Sequence, residues 1–261
     1  VVLAAAKVGG ILANYEFPAD FIQENLSIQN NVIEAAFRNG VQHLLFLGSS
    51  CIYPRDCAQP MKEERLMSGP LELTNRAYAV AKIAGIEACW AHNRQHGTRY
   101  IAAMPTNLYG PGDNYDRENS HVLPALIRKL HEAKEGGSLG ISIWGTGLAW
   151  REFLYSDDLA HACLFLLNLP KKQQDSFFND QRPPLINVGT GMELQIRDLV
   201  VRVANIVGYQ GEVSWDHSRP DGTPRKLLDN SLIANLGWKA AIDLDQGIQM
   251  AYADFLSRYE S

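Results

Sequence analysis

The sequence has few cysteines, no long apolar run and no excess of basic residues. Its four cysteines, Cys51, Cys57, Cys89 and Cys163, include no C-x-x-C pair, so neither a disulfide framework nor a zinc site is indicated. No apolar run approaches the roughly 20 residues that span a bilayer, which predicts no membrane partner. The 29 Asp and Glu residues outnumber the 24 Lys and Arg residues, which argues against a nucleic-acid partner. We therefore expect reduced thiols and a cytoplasmic location.

Two features are missing from the beginning of the chain. It starts at Val1 rather than at methionine, and residues 1–6 resemble the start of a buried strand. No G-x-G-x-x-G or G-x-x-G-x-x-G motif occurs in the 261 residues, although such a motif cradles the pyrophosphate in dinucleotide-binding folds. We therefore expect a fragment of a longer protein that lacks roughly 55 residues, the size of two βα units.

Strands and helices alternate at short spacing along the first half of the chain. Apolar strands are predicted at residues 41–47 and 99–104, and helices at 19–39 and from about residue 76 to Gly97. This alternation is typical of an α/β fold with a doubly wound parallel sheet, Rossmann-like but without its first units. After Pro111 the sequence is richer in turns, and we expect a smaller α/β lobe there.

Tyr78 and Lys82 are four residues apart in a predicted helix, so they share one face. An ammonium about 5 Å from a phenol favours the phenolate by roughly 3 kcal/mol at an effective dielectric near 20, which predicts a pKa for Tyr78 about two units below its ordinary value. Ser49 follows a buried strand and Gly48, where its hydroxyl can bind the same substrate oxygen. An exposed helical pair and a loop cap are the structural alternative, but the strand ending favours a proton-handling set.

Several segments of this chain match a known family. They are the Y-x-x-x-K helix, AAAKVGGI at 4–11, GSSCIYP at 48–54, MPTNLYGP at 104–111, NSHV at 119–122, REFLYSDD at 151–158 and RPDGTPRK at 219–226. On these segments the whole chain resembles the extended short-chain dehydrogenase/reductases that act on nucleotide sugars. The Y-x-x-x-K helix alone would indicate only the broad superfamily, whereas the 48–54 and 219–226 segments are much more specific.

The resemblance implies a two-stage reaction on a GDP-sugar. GDP-4-keto-6-deoxy-D-mannose is inverted at the two carbons beside its ketone, and NADPH then reduces the ketone. Cys51 resembles the base of the first stage and His121 its acid partner, and inversion needs such a pair on opposite faces of the sugar. A buried packing role for Cys51 and a helix cap for His121 are the alternatives. In the second stage Tyr78 would protonate the C4 oxygen, Ser49 would orient it, and Lys82 would lower the pKa of Tyr78.

The resemblance also implies which residues bind each molecule. The NADP(H) site would comprise Leu47, Gly48, Ser49, Ser50, Tyr78, Lys82, Pro105, Thr106, Asn107, Leu108 and His121. The GDP-sugar would be bound by Lys129, Trp144, Arg151 and Asp221, since cations suit a diphosphate and an indole offers a stacking face. Residues 1–110 and 146–190 would form the NADP-binding domain, and 111–145 and 191–261 the substrate domain. The resemblance implies no metal. It does imply a homodimer through the Y-x-x-x-K helix, where Ala81, Ala84 and Gly85 would allow two helices to approach closely.

Two alternatives to this function stay open. The first is another nucleotide-sugar epimerase or reductase of the same superfamily. A 4,6-dehydratase is expected to have acidic residues just after the catalytic serine or threonine, where this chain has Cys51 and Ile52, and a simple 4-epimerase needs neither Cys51 nor His121. The second is a catalytically silent binding or dimerisation fragment.

Overall fold

The computed structural model describes residues 1–117, 120–175, 177–219 and 222–259. The strands are β1 (Val2–Leu3), β2 (His43–Leu47), β3 (Arg99–Pro105), β4 (Asn107–Tyr109), β5 (Gly140–Trp144), β6 (Trp150–Tyr155), β7 (Leu185–Val188), β8 (Glu193–Gln195), β9 (Glu212–Asp216) and β10 (Arg225–Lys226). The helices are α1 (Ile11–Glu16), α2 (Pro18–Arg38), α3 (Arg76–His96), α4 (Val122–Glu135), α5 (Ser156–Leu167), α6 (Lys171–Gln174), α7 (Ile196–Val207), α8 (Ser231–Asn235) and α9 (Leu244–Tyr259).

The chain divides into two compact units. Unit 1 consists of Val1–Thr106, Leu159–Gly189 and Leu228–Lys239, and unit 2 consists of Asn107–Asp158, Thr190–Leu227 and Ala240–Ser261. These boundaries differ from the predicted domain limits in four places, since residues 107–110 and Thr190 lie in unit 2 rather than with the predicted NADP-binding domain, and two longer segments also change sides. Residues 228–239 belong to unit 1, where the Asn230 side chain donates to the Gly189 carbonyl. Residues 146–158 belong to unit 2, because β6 pairs with β4, β8 and β10. The assignment of cofactor to one unit and substrate to the other stays a prediction.

Unit 1 contains the parallel sheet that the sequence predicts. Its strand order is β1-β2-β3-β7, and all three neighbouring pairs are parallel. Strand β2 is almost wholly apolar, and Leu44, Leu45 and Phe46 are each at most 1% exposed, as expected for a strand covered on both faces. The α/β fold class is therefore confirmed.

Helices α2 and α3 pack against each other in unit 1 through small and polar residues. The Gln29 amide of α2 donates to the Ala81 carbonyl of α3 at 2.7 Å. A Cβ atom on Gly85 would lie 2.5 Å from Cζ of Phe46 and 2.9 Å from Oε1 of Gln29. Ala81 and Gly85 are buried by this packing, so their small size serves a contact within the chain. The prediction that they form part of a dimer face is wrong for these two residues.

Unit 2 contains a mixed sheet and a separate two-stranded sheet. Strand β6 lies between β10 and β4, both parallel to it, and also pairs antiparallel with β8, while β5 pairs parallel with β9. Apolar residues of α4, α7 and α9 form the core of this unit. Glu152 of β6 is fully buried, and its carboxylate accepts the Gly191 amide at 2.7 Å. Within the described residues, none of the helices combines the length and apolarity needed to cross a membrane.

Candidate active site

The first part of the site is the turn that follows β2. The Gly48 amide donates to the Ala103 carbonyl at 2.9 Å, and a Cβ atom at Gly48 would overlap the end of the Met104 side chain, so a larger residue would require that side chain to move. Residues Ser50–Ile52 then form one turn of 3-10 helix, and the Ser49 hydroxyl accepts the Cys51 amide at 3.5 Å. This turn brings Ser49 and Cys51 to the carboxyl end of β2, where α/β sheets bind ligands.

The second part of the site is the face of α3 that Tyr78 and Lys82 share. Helix α3 ends at His96, before Gly97 in the left-handed conformation (φ 68°), as predicted. The Lys82 ammonium donates to the Leu47 carbonyl at 2.8 Å and lies 5.7 Å from the Tyr78 ring centroid and 4.8 Å from that of Phe46. Lys82 therefore joins α3 to the end of β2, and the predicted proximity of Tyr78 and Lys82 is observed.

Electrostatic contacts link these side chains to Ser49 and Cys51. Burial lowers the pKa of Lys82 to about 8, and the nearby Cys51 thiol offsets part of that effect. Burial also raises the pKa of Tyr78, Cys51 raises it further, and a hydrogen bond with Ser49 lowers it in part. Ser49, Cys51, Tyr78 and Lys82 therefore form one interacting cluster in unit 1.

The direction of the Tyr78 shift differs from the sequence-based expectation. The spacing of Tyr78 and Lys82 predicts a lowered pKa for the phenol, but in the structure burial of the phenol outweighs any attraction from the ammonium. The Lys82 ammonium is directed to the Leu47 carbonyl. The phenol is therefore a weaker acid than a free tyrosine; it carries its proton at neutral pH, so a proton is available to a strongly basic oxygen.

His121 lies in unit 2, at the start of α4. It is the N-cap residue of this helix, its side chain makes no capping hydrogen bond, and the residue is exposed. Burial raises the pKa of the neighbouring Asp113 carboxyl, and His121 offsets part of that rise. The predicted position of His121 at a helix start is thus confirmed, and an exposed imidazole without a capping role is available for proton transfer.

Three of the four predicted substrate residues lie in the described part of unit 2. The Lys129 ammonium of α4 donates to the Ser142 carbonyl of β5. Trp144, at the end of β5, is 61% exposed. Arg151 of β6 donates to the Trp150 carbonyl at 2.7 Å and is half-buried. Asp221 lies outside the described residues.

Arg219 is a further residue at this place that sequence reasoning did not single out. Its guanidinium lies 4.9 Å from the centroid of the Trp144 ring, a distance at which a cation is attracted to an aromatic face. The guanidinium thus lies over one face of the exposed indole ring. The only signal in the sequence is that Arg219 begins the RPDGTPRK segment.

The other predicted dinucleotide residues, apart from Tyr78, Lys82 and His121, lie at or next to strand ends. Leu47 pairs with Ala103 on the neighbouring strand, so the segments 47–50 and 105–106 follow adjacent strands of unit 1. Asn107 and Leu108 belong to β4 of unit 2. Lys82 donates one hydrogen bond, and its other two N–H groups have no acceptor among the described residues, so they are free for ribose hydroxyls. The donor set at Lys82 therefore fits the nicotinamide ribose of a dinucleotide.

A parallel sheet with serine, tyrosine and lysine gathered at a strand end defines a short-chain dehydrogenase/reductase. Residues 1–189 match the model of the NAD dependent epimerase/dehydratase family. The chain is 55% identical to "Probable GDP-L-fucose synthase 1" of Oryza sativa subsp. japonica, over 97% of this chain and 74% of that protein. It is 50% identical to GDP-L-fucose synthase of Escherichia coli (strain K12), over 100% of this chain and 81% of that protein. The chain belongs to the NAD dependent epimerase/dehydratase family, within the extended short-chain dehydrogenase/reductases.

Solved structures agree with this assignment. A GDP-6-OMe-4-keto-L-xylo-heptose reductase from C. jejuni superposes with a TM-score of 0.90 at 39% identity, covering 99% of this chain and 82% of that one. A GDP-L-fucose synthetase from Naegleria fowleri bound to NADP superposes with a TM-score of 0.85 at 28% identity, covering 100% of this chain and 78% of that one.

Proposed function

We propose that this protein catalyses the last two steps of GDP-L-fucose synthesis. GDP-4-keto-6-deoxy-D-mannose is epimerised at C3 and C5, and the 4-keto group is then reduced with NADPH. The observation that carries the proposal is the cluster of Ser49, Cys51, Tyr78 and Lys82, because it places a thiol for carbon acids beside a phenol for a carbonyl oxygen. The choice of substrate is supported by relatives named GDP-L-fucose synthases, which share 50–55% of their residues with this chain over nearly its whole length.

In the epimerisation, Cys51 removes a proton from a carbon beside the ketone, and His121 returns one to the opposite face. The ketone makes these protons acidic, because the charge left on carbon moves to the C4 oxygen. The hydroxyls of Ser49 and Tyr78, already in hydrogen-bond contact with each other, are the donors that stabilise this oxygen. The role of Cys51 requires the thiolate, which the Lys82 ammonium favours through its electrostatic contact with Cys51.

In the reduction, NADPH supplies a hydride when bound. Tyr78 donates its proton to the C4 oxygen, which becomes a strongly basic alkoxide as the hydride arrives, and Ser49 orients that oxygen. Lys82 donates to ribose hydroxyls through the two N–H groups that the Leu47 carbonyl leaves unused. The segments 47–50 and 105–108 line the dinucleotide, and Lys129, Trp144, Arg151 and Asp221 bind the GDP-sugar.

One experiment tests this function and separates its two stages. The protein is incubated with GDP-4-keto-6-deoxy-D-mannose and NADPH in D2O, and the sugar formed is identified by NMR. We expect GDP-L-fucose with deuterium at the carbons that flanked the ketone. Cys51→Ser is expected to suppress deuterium uptake, and Tyr78→Phe to stop NADPH oxidation while some exchange continues, each by about a hundredfold or more. A different sugar, or undiminished exchange in Cys51→Ser, would contradict the proposal.

The two alternatives give different outcomes in the same assay. Another nucleotide-sugar reductase would consume NADPH and yield a sugar other than GDP-L-fucose, and the likeness to a heptose reductase makes this the relevant comparison. A silent binding or dimerisation fragment would neither exchange deuterium nor oxidise NADPH. It would also fail to change the fluorescence of added NADPH, whereas the proposed enzyme enhances it.

We also propose that the protein is a homodimer in the cytoplasm. The exposed stripe of α3 that includes Val80 and the half-buried Ala84 supports the dimer, and light scattering measures the mass. All four cysteines lie within the described residues and none forms a disulfide, which supports a reducing compartment. Microscopy of the tagged protein tests the location.

A further inference from the structure

Asn187, on β7 of unit 1, is fully buried and uses every polar group of its side chain. Its Oδ1 accepts the Tyr53 hydroxyl at 2.6 Å. Its Nδ2 donates to the carbonyls of Met61, at 2.9 Å, and Asp229, at 3.0 Å. Its backbone amide donates to the Glu63 carboxylate at 2.9 Å. One residue of the sheet thus joins three other segments of unit 1.

These bonds hold a stretch of chain that has little regular structure of its own. Residues 53–72 contain one turn of 3-10 helix, Glu63–Arg65, and a single isolated bridge, from Met61 to Leu228, within the described part of the chain. Buried polar groups are costly unless they are paired, so the three bonds to Tyr53, Met61 and Glu63 fix the stretch in one position. The amide cannot rotate by half a turn either, since Oδ1 would then face the carbonyls of Met61 and Asp229.

The same stretch begins at the turn that carries Cys51. Tyr53 directly follows Ser50–Ile52, and its amide donates to the Ser50 carbonyl at 3.4 Å. Its side chain is 3% exposed and reaches β7. The backbone of Tyr53 thus ends the turn while its hydroxyl is anchored in the sheet. A shift of the phenol would move the turn, and with it the thiol of Cys51.

We propose that Asn187, acting through the Tyr53 hydroxyl, is a positioning residue for Cys51 in the proton-transfer stage. This inference rests on the base role of Cys51 in the proposed function. Asn187 is fully buried, so it acts on Cys51 through Tyr53. It fixes the thiol relative to Lys82 and Ser49, the two groups that favour the thiolate and bind the substrate oxygen.

The test removes the Tyr53 hydroxyl and keeps its ring. Substitution of Asn187 is less suitable, because the charged side chain of Asn187→Asp would face two carbonyls and prevent folding. Tyr53→Phe deletes only the bond to Asn187. Tyr100→Phe is the matched control, since Tyr100 is a fully buried tyrosine of the same unit whose hydroxyl donates to the Val41 carbonyl at 2.9 Å. Urea unfolding is expected to show a similar loss of stability in both variants.

Two readouts distinguish positioning from stability. The first is deuterium uptake by GDP-4-keto-6-deoxy-D-mannose without NADPH. We expect Tyr53→Phe to slow it about tenfold or more at unchanged KM, since small misplacements of a reacting group have such effects. The second is alkylation of Cys51 by iodoacetamide, followed by peptide mass spectrometry across pH. We expect the midpoint of the pH dependence of Cys51 alkylation to move to higher pH in Tyr53→Phe, because the thiol is less well held beside Lys82. Tyr100→Phe is expected to match the unmodified protein in both.

An alkylation midpoint in Tyr53→Phe equal to that in Tyr100→Phe would overturn the inference, and so would equal deuterium uptake in the two variants where the unmodified protein exchanges. The alkylation readout needs no substrate, so it remains decisive if the unmodified protein does not exchange deuterium. A lack of deuterium exchange in the unmodified protein would contradict the proposed function. A midpoint shifted in Tyr53→Phe but not in Tyr100→Phe would still support the positioning of Cys51. An unshifted midpoint would contradict the positioning even if the proposed function holds.

Discussion

Lys82 is buried beside aromatic rings, and its ammonium donates to a backbone carbonyl. It forms no ion pair with a carboxylate within the described part of the chain. A charged amine in such surroundings loses hydration without full compensation, which is why its pKa is lowered to about 8. The function proposed for Lys82 requires this charge, so the protein bears a stability cost at the site of its chemistry.

We predict that Lys82→Met stabilises the protein at pH 7 by roughly 1–3 kcal/mol and abolishes NADPH oxidation. At pH 7 the folded protein must keep the buried ammonium charged, whereas methionine has no such cost. The folded-state pKa of Lys82 is below its ordinary value of 10.5. The cost is therefore fully present below about pH 8 and relieved as the pH rises towards 10.5.

Urea unfolding at pH 7 and at pH 9.5 measures this difference. The advantage of Lys82→Met over the unmodified protein is expected to shrink at the higher pH. Lys172→Met replaces an exposed lysine of α6 and is expected to change the free energy of unfolding by less than about 0.5 kcal/mol at either pH. A pH-independent effect of Lys82→Met would show that the buried charge is not its cause.

The residue scale also shows what a sequence can and cannot predict about such a site. The proximity of Tyr78 and Lys82 follows from helix geometry alone, because four residues are close to one turn. The raised pKa of Tyr78 does not follow from it, since burial by the rest of unit 1 dominates the shift. Local spacing predicts which groups meet, while the dielectric around them depends on tertiary packing.

At the scale of elements, the packing of α2 and α3 positions the Tyr78 and Lys82 face. Gly85 lies against Phe46 of β2 and Gln29 of α2, so α3 approaches the sheet more closely than a helix with a larger residue could. Gln29 bonds to the Ala81 carbonyl, one residue before Lys82. The sequence predicts α3 well through its Gly97 cap, but it does not reveal which face of the helix meets α2.

We predict that Gly85→Ala destabilises the protein by about 1–3 kcal/mol and slows NADPH oxidation. Alanine normally stabilises a helix by about 1 kcal/mol relative to glycine. A net loss of stability in Gly85→Ala would therefore indicate the clash with Phe46 and Gln29. Gly140→Ala is the control, since its Cβ atom would meet neighbouring atoms no closer than 3.6 Å. Urea unfolding measures both variants, and a stabilised Gly85→Ala protein would refute the close packing.

At the scale of the whole molecule, the contacts that complete the site join distant parts of the sequence. The bond between Tyr53 and Asn187 spans 134 residues, and no local pattern marks either residue as its partner. The strand β7 could be predicted from its apolar run, but the placement of the Asn187 amide depends on the fold. Short elements such as α1, β4 and β10 also escape prediction, because two to six residues carry little periodicity.

The proposed homodimer makes a prediction about the exposed surface of α3. Val80 is 38% exposed on this helix, and Ala84 lies one turn further along the same face, so a second copy could cover an apolar stripe. If it does, Val80→Glu buries an unpaired charge at the interface, which costs about 3 kcal/mol or more. The dissociation constant of the dimer is then expected to rise more than about a hundredfold.

Light scattering across protein concentrations is expected to show a monomer for Val80→Glu and a dimer for Val201→Glu. Val201 is the matched control because it is a 59% exposed valine on α7 of unit 2, away from the proposed face. A dimer that survives in Val80→Glu would place the interface elsewhere, and a monomeric unmodified protein would refute the dimer. Because α3 carries both Val80 and Tyr78, we expect the monomeric variant also to lose NADPH oxidation in part, and activity measured at matched concentrations tests that coupling.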